Sequence, residues 1–384
     1  MNSKYIILIS LFCASASAAA QDVTEVWEQT KGILKESSFR KKNLDPAYAL
    51  QPGLHWTASV GATGLGLGTN LNSDIELTDY LESGTRVVNA TLETGMKRRM
   101  YKKVNLGLSF GDLALNMGFE VGKKMPKRNT YFDLGTAGSY YGARIQYYKT
   151  FEYVEGMLRF DGGEYPPIEL ASENPCQLRE LTIDGFYAFN RRKFVYTATY
   201  GGRIVQRRSV GSWMAAAKYL RGDFILNDDV QVSILNDLNR YTTKQLLLGA
   251  GYSYNWVILH RDPSERKSWK GLQNLTVNMT ALPVISLSNN LYTEEGSGKT
   301  KTRVHYPGHP AISPSLRAGV CYAWDRYYIT VQAGYNRFGF HGADTVTESL
   351  VKTDGGEQYK QQRKVSTRGV FYDLSTKVQL NVRF

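Results

Sequence analysis

Residues 375–384 read STKVQLNVRF, and the last of them is an aromatic. Val378, Leu380 and Val382 share the parity of Phe384 and of Leu374, while Lys377, Gln379, Asn381 and Arg383 hold the other. A period of two marks a strand with one apolar and one polar face. Chain ends are ordinarily polar and frayed, so a strand kept two-faced to residue 384 predicts an apolar medium on one side.

The same period runs through the sequence from Leu54 onward. Leu54, Trp56, Ala58, Val60 and Ala62 alternate with small or polar residues, as do Val104, Leu106, Leu108 and Phe110. After a Gly111–Asp112 joint the alternation resumes at Leu113, Leu115, Met117, Phe119 and Val121, which reads as a hairpin. A soluble sandwich alternates too. Here the apolar parity keeps to Leu, Val, Tyr and Phe, as strands that present roughly 9–11 residues to lipid require. Aromatics gather near strand ends, in NTYFD (129–133), SYYG (139–142), QYYKTFEY (146–153) and DRYY (325–328), where a bilayer interface would hold them.

Short joints at 111–112, 138–140, 190–192 and 324–326 alternate with long connections at 68–100, 152–177 and 286–312. That asymmetry, with the need to satisfy every backbone group in lipid, predicts an all-β fold: a closed, up-and-down, antiparallel transmembrane β-barrel over 51–384 with both termini periplasmic. Fourteen strands are expected, at 54–67, 101–110, 113–122, 129–137, 140–151, 178–189, 193–206, 211–226, 230–238, 244–257, 271–284, 313–323, 327–339 and 368–384. Twelve is the alternative count. The stretch 230–238 enters chiefly to keep the number even, and 86–96 is a candidate strand extension beyond the membrane.

Residues 1–20 read as a signal peptide: Lys4, the apolar stretch YIILISLFCA, then small residues ending at Ala20. Residues 21–50 form a periplasmic segment with a helix candidate at 22–40, where Asp22 and Glu25 resemble a capping box. Export with a formal charge of +12 points to lipid phosphates rather than nucleic acid as the acidic partner. Cys176 in an outer loop and Cys321 near a periplasmic strand end are expected to stay unbridged.

VNLGLSFGDLALNMGFEVG, TYFDLGTAGSYYGARIQYYKTFEY and LLLGAGYSYNWVI together resemble a family of outer-membrane barrels from Gram-negative anaerobes, catalogued as domain of unknown function 4421. The resemblance covers most of residues 50–384 and implies outer-membrane location. It implies no activity and carries no functional residues.

GATGLGLG (61–68) lacks the Gly-Lys-Ser/Thr of a phosphate loop, and His305 and His309 have no third ligand beside them in sequence. No catalytic motif is evident, so an enzyme is not expected, an outer-membrane lipase being the less favoured class. No cofactor or metal is implied. Lys97, Arg98, Arg99, Lys102, Lys103, Lys123, Lys124, Lys127 and Arg128 flank the first clear hairpin and are candidates for binding lipopolysaccharide at an outer rim. Arg144, Gln146 and Arg317 are candidates for lining the lumen, and Val378, Leu380, Val382 and Phe384 for a signal read by the outer-membrane assembly machinery. The leading expectation is a small pore or transport channel with a polar, positively biased lumen, and the alternative is a closed structural or adhesive surface barrel.

Overall fold

The structure is a computed structural model of the 384-residue chain. It describes residues 44–51, 56–81, 84–96, 99–110, 113–121, 129–162, 166–201, 204–226, 239–264, 268–295, 302–341, 345–352 and 358–384. The signal peptide, the 22–40 helix candidate, the 111–112 joint and the 230–238 strand lie outside these residues.

The described chain is antiparallel β-structure apart from one 3₁₀ turn. After the two-residue β1 (Ala49–Leu50), β2 (Trp56–Leu81) climbs and returns through β3 (Gly84–Met96) and β4 (Arg99–Phe110), which run in line along it. A short hairpin follows, β5 (Leu113–Glu120) and β6 (Thr130–Ala137). β7 (Tyr141–Glu152) and β8 (Val154–Phe160) climb again, and β9 (Ile168–Ala171) with β10 (Cys176–Ala188) descend. β11 (Val205–Gln206) pairs only with β1. β12 (Val210–Ile225) and β13 (Arg240–Arg261) precede two interrupted strands. The first is β14 (Gln273–Ala281) with β15 (Val284–Glu295), the second β16 (Thr302–Pro307), β17 (Ile312–Ser313) and β18 (Ser315–Trp324). Pro283 and Pro314 stand at the interruptions, where a residue without an N–H breaks the ladder. β19 (Tyr327–His341), β20 (Thr345–Lys352) and β21 (Gln358–Arg383) complete the order.

Neighbours pair in sequence from β4 through β5, β6, β7, β10, β12, β13, β14, β18 and β19 to β21. β21 also pairs with β2 from Thr57↔Arg383 to Tyr80↔Lys360, and β2 pairs with β4 on its other edge. Beyond the β5–β6 hairpin β3 pairs directly with β8, so that hairpin is wedged between two longer strands.

One end carries the tight turns and is called the base below. There β18 and β19 are joined by Asp325 and Arg326, with Asp325 at φ 46°, as a two-residue hairpin requires. The Asp325 carboxylate accepts the Gly271 N–H at 2.7 Å, tying this turn to the next.

Side chains divide by parity. Leu106, Leu108, Leu248, Met279, Leu316, Val331 and Leu380 are exposed on the outer face. Asn105, Asp184, Lys218, Ser253, Asn278, Gln379 and Asn381 are buried on the inner one. A soluble protein buries the first set and exposes the second, and this sheet does the reverse.

The fourteen expected strands need three corrections. The segment 193–206 is not one strand: residues 194–201 are a loop with a 3₁₀ turn at Tyr196–Ala198, and only Val205–Gln206 (β11) are extended, paired with β1. Phe194, Val195, Tyr196, Thr197, Ala198 and Thr199 are buried consecutively, because protein surrounds the segment and both parities are covered. The connections expected at 68–100, 152–177 and 286–312 are largely extensions of strands beyond the apolar band. Cys176 is not in a loop but opens β10, and it and Cys321 are both buried and outside any disulfide.

Candidate functional site

Between β10 and β12 the chain enters the interior instead of turning directly. Asn190 starts the excursion. Its side chain donates to the Gly211 carbonyl at 2.9 Å, and its own carbonyl accepts the Phe194 N–H at 3.0 Å. The loop is then stitched to inner faces on several strands. The Tyr200 hydroxyl donates to Asn278 Oδ1 at 2.8 Å, and the Tyr328 hydroxyl donates to the Gly201 carbonyl at 2.7 Å. Asn255 Nδ2 donates to the Val195 carbonyl at 2.8 Å and Asn274 Nδ2 to the Gln206 carbonyl at 2.9 Å. Tyr200 lies against Gly319, where a Cβ would stand 3.0 Å from its ring.

Gln206 is the hub. Its Oε1 accepts from the Val195 N–H at 2.9 Å and from Asn255 Nδ2 at 3.1 Å. Its Nε2 donates to the carbonyls of Tyr48 at 2.9 Å and Lys193 at 2.8 Å. All four positions of a buried amide are thereby used. The same contacts bring in residues 44–50: Ala49 pairs with Gln206, and the Asp45 N–H donates to the Arg192 carbonyl at 2.8 Å. The two segments together form a floor across the interior at the base.

Above the floor lies a cavity of about 220 Å³. Tyr196, Tyr200 and Phe186 close its lower side, and Leu65, Tyr131 and Tyr148 contribute to its walls. Four cations line it, Lys103, Arg144, Arg317 and Lys377, against the two carboxylates of Asp133 and Asp184. The arginines are already engaged. Arg144 holds Asp133 through two 3.0 Å hydrogen bonds, and Tyr131 donates to the same carboxylate at 2.8 Å. Arg317 reaches Asp184 at 3.5 Å and the Tyr196 hydroxyl at 3.3 Å. Among the described residues Lys103 Nζ has no hydrogen-bond partner and rests 4.1 Å from the centre of the Tyr131 ring. Lys377 likewise makes no hydrogen bond or salt bridge among them. Thr63 pairs with Lys377 on one side and with Lys103 on the other, so the two lysines and Thr63 form one inward row across three neighbouring strands.

Farther from the base the inner face changes character. Phe224, Tyr241, Phe340 and Phe371 meet there, with ring centroids 4.9 to 6.0 Å apart. Leu220, Leu247, Val284 and Phe338 surround them. The Tyr241 hydroxyl shares a hydrogen bond with Thr69 Oγ1 at 2.7 Å. Gly222 makes room for it, since a Cβ there would lie 2.7 Å from the Phe371 ring.

The expected site residues fall as follows. Arg144 and Arg317 line the cavity, and buried Gln146 donates to the Tyr148 hydroxyl at 2.6 Å. Of the nine expected rim cations, Lys97, Arg98, Lys123, Lys124, Lys127 and Arg128 lie outside the described residues, and Arg99 is described only in its backbone. Lys102 is exposed, but Lys103 is no rim residue: it shares the parity of Asn105, Gly107 and Ser109 and is buried inside. Val378, Leu380 and Phe384 are exposed on the outer face, Val382 is half-buried, and the Phe384 N–H donates to the Trp56 carbonyl at 2.9 Å. His305 is exposed, stacks on Tyr292 and bonds Asn290 at 2.8 Å. The floor is what reading the sequence missed. Its signals were the Gly201–Gly202 break and the off-parity apolar residues Val195 and Val205.

Among solved structures the chain is similar to a Pseudomonas aeruginosa FadL homologue at 8% identity, covering 84% of this chain and 90% of that one, with a TM-score of 0.19. It is similar to a deltaS2 mutant of the TodX monoaromatic hydrocarbon channel at 9% identity, with coverages of 82% and 90% and a TM-score of 0.19. Scores this low establish no common fold. No curated protein matches the chain. A family profile described as a domain of unknown function matches residues 87–355, more than half of the sequence. The chain belongs to this family, domain of unknown function 4421.

Proposed function

We propose that the protein is a closed twelve-stranded β-barrel of the outer membrane that passes small solutes through a normally floored interior. The single observation that carries this is the buried run Phe194–Thr199, with Tyr200 and Gly201, held inside the sheet by side chains of β13, β14 and β19, with a charged cavity directly above it. A barrel serving only as a wall has no need of a chamber with lysines left unpaired.

Closure and count are supported by the pairings: β21 meets β2, and the collinear pieces reduce to twelve strand paths among the described residues. An even number suits a barrel with both ends of the chain on one side. The membrane reading is supported by the exposed outer band of Leu, Val, Met and Trp. We read the chain as non-catalytic. Outer-membrane lipid, lipopolysaccharide at Lys102 and its neighbours, and the outer-membrane assembly machinery are its proposed partners, with no nucleic acid. Val378 and Phe384 are the part of the proposed assembly signal that is most exposed.

Single-channel recording in a planar bilayer tests the proposal. The intact protein should be nearly silent, and a variant with 194–204 replaced by a short Gly-Ser linker should show steady ohmic conductance. A deletion variant that inserts but stays silent would favour the filled structural barrel instead.

A further inference from the structure

The lysines of the cavity have a consequence for what enters it. We propose that the chamber binds one small organic carboxylate, its oxygens taken by Lys103 and Lys377 and its apolar body lying among Tyr131, Tyr148, Tyr196 and Tyr200. The inference shares with the proposed function the reading that the strands enclose this interior, but it does not depend on conduction.

Lys103 is 4% exposed, and its ammonium has no acceptor among the described residues. Burying a charge without a partner is costly even after relaxation, and a cation resting on an aromatic face recovers only part of that cost. The Tyr131 ring therefore does not replace the missing acceptor. The neighbouring carboxylates make no hydrogen bond with it either: Glu120, opposite Lys103 across the β4–β5 ladder, is exposed and accepts from Asn129 Nδ2. Asp133 is taken by Arg144 and Tyr131, and Asp184 faces Arg317. Lys377 joins Lys103 in the same inward row with Thr63 between them. Strands about 4.8 Å apart put the two lysine backbones about 10 Å from each other, a span that long side chains close onto one shared anion.

The remaining walls decide which anion. A bare inorganic ion would use the cations alone and leave the tyrosine faces unfilled. A ligand with a ring or short chain fills them, and buried apolar area is the larger source of affinity in such pockets. Ligand pockets for drug-sized molecules run from about 300 Å³ upward, so a chamber near 220 Å³ suits a smaller guest. The two arginines, pinned by their carboxylates, set the field and keep the unpaired positive charge on the lysines.

Calorimetric titration of the purified, refolded full chain tests this with four probes: benzoate, acetate, inorganic phosphate and benzamide. Benzoate should bind saturably and at least tenfold tighter than acetate, and benzamide, the uncharged analogue, should not bind measurably. Lys103→Met and Lys377→Met, which keep an aliphatic stem, should each weaken benzoate at least tenfold while preserving heat-modifiable gel mobility. Equal benzoate affinity in either variant, or tighter binding of phosphate than of benzoate, overturns the proposal. Absence of benzoate heat in the folded wild type does so as well. Conductance of the linker variant reads the channel proposal separately, so either can fail while the other stands.

Discussion

Gln206→Leu should release the floor without unfolding the sheet. The substitution keeps the size of the side chain but removes four hydrogen bonds, two accepted from Val195 and Asn255 and two donated to Tyr48 and Lys193. The cost falls on the partners that find no other group, here the Val195 N–H and the Lys193 carbonyl, at about 1–3 kcal/mol each. Asn255 keeps the Val195 carbonyl, and the Tyr48 carbonyl keeps the Arg207 N–H. The net loss is therefore about 3 kcal/mol, confined to the floor. Arg191, Arg192 and Lys193 are exposed trypsin sites on that segment, but cleavage needs the chain around them to open. Where opening is rapid, cleavage follows the open population, and about 3 kcal/mol raises that population about a hundredfold. Limited trypsin digestion in detergent, followed by mass spectrometry of fragments ending at 191–193, reads the effect. Guanidinium unfolding run beside it reports the whole barrel. A rise below about fivefold, or one appearing only in step with global destabilisation, would refute the idea that the floor opens as a unit.

Other perturbations test the remaining parts. Leu380→Arg on the outer face should cost about 2–4 kcal/mol when folding is measured in lipid vesicles; a change within about 0.5 kcal/mol, usual for a soluble surface, would sink the membrane reading. Gly222→Val should push Phe371 out of the apolar layer and destabilise the fold by about 1–3 kcal/mol in guanidinium titration, because the space behind the glycine is taken. Deleting Phe384 removes one backbone hydrogen bond and little buried area, so stability of the refolded protein should change by about 1 kcal/mol or less while membrane yield in cells falls severalfold; equal losses in both would point to a merely structural role. Floor cleavage should also depend on acid. Partial burial raises the Asp262 carboxyl, and hydrogen bonds with His260 and Arg207 outweigh it, leaving the group below its usual range. The contact is thus intact above the unfolded carboxylate value near 4 and is lost as pH falls below it. Tryptic nicking, assayed after a pulse at pH 3, should exceed that after pH 6 by a modest factor, since an exposed pair contributes under about 1 kcal/mol, and Asp262→Asn should remove the difference.

The sequence by itself determined which face of most strands is apolar. Alternation from Leu374 to Phe384, from Val104 to Phe110 and from Leu246 to Trp256 placed the apolar parity outward, and the same parity put Lys377, Gln379 and Asn381 inside. Such a pattern is local, because side chains leave a strand on alternate faces whatever lies farther away. Lys103 shows the limit of setting parity aside. It was grouped with its basic neighbours by charge, although its own phase placed it inward. What only the tertiary structure decided is the interior. The 193–206 segment alternates well enough to pass for a strand, and nothing near it in sequence says that β13, β14 and β19 will surround it. The hold of Gln206 on Tyr48 spans 158 residues, and the pairing of Lys103 and Lys377 with Thr63 joins opposite ends of the chain. Periodicity is a property of one strand, whereas a floor and a chamber exist only once distant strands are brought side by side.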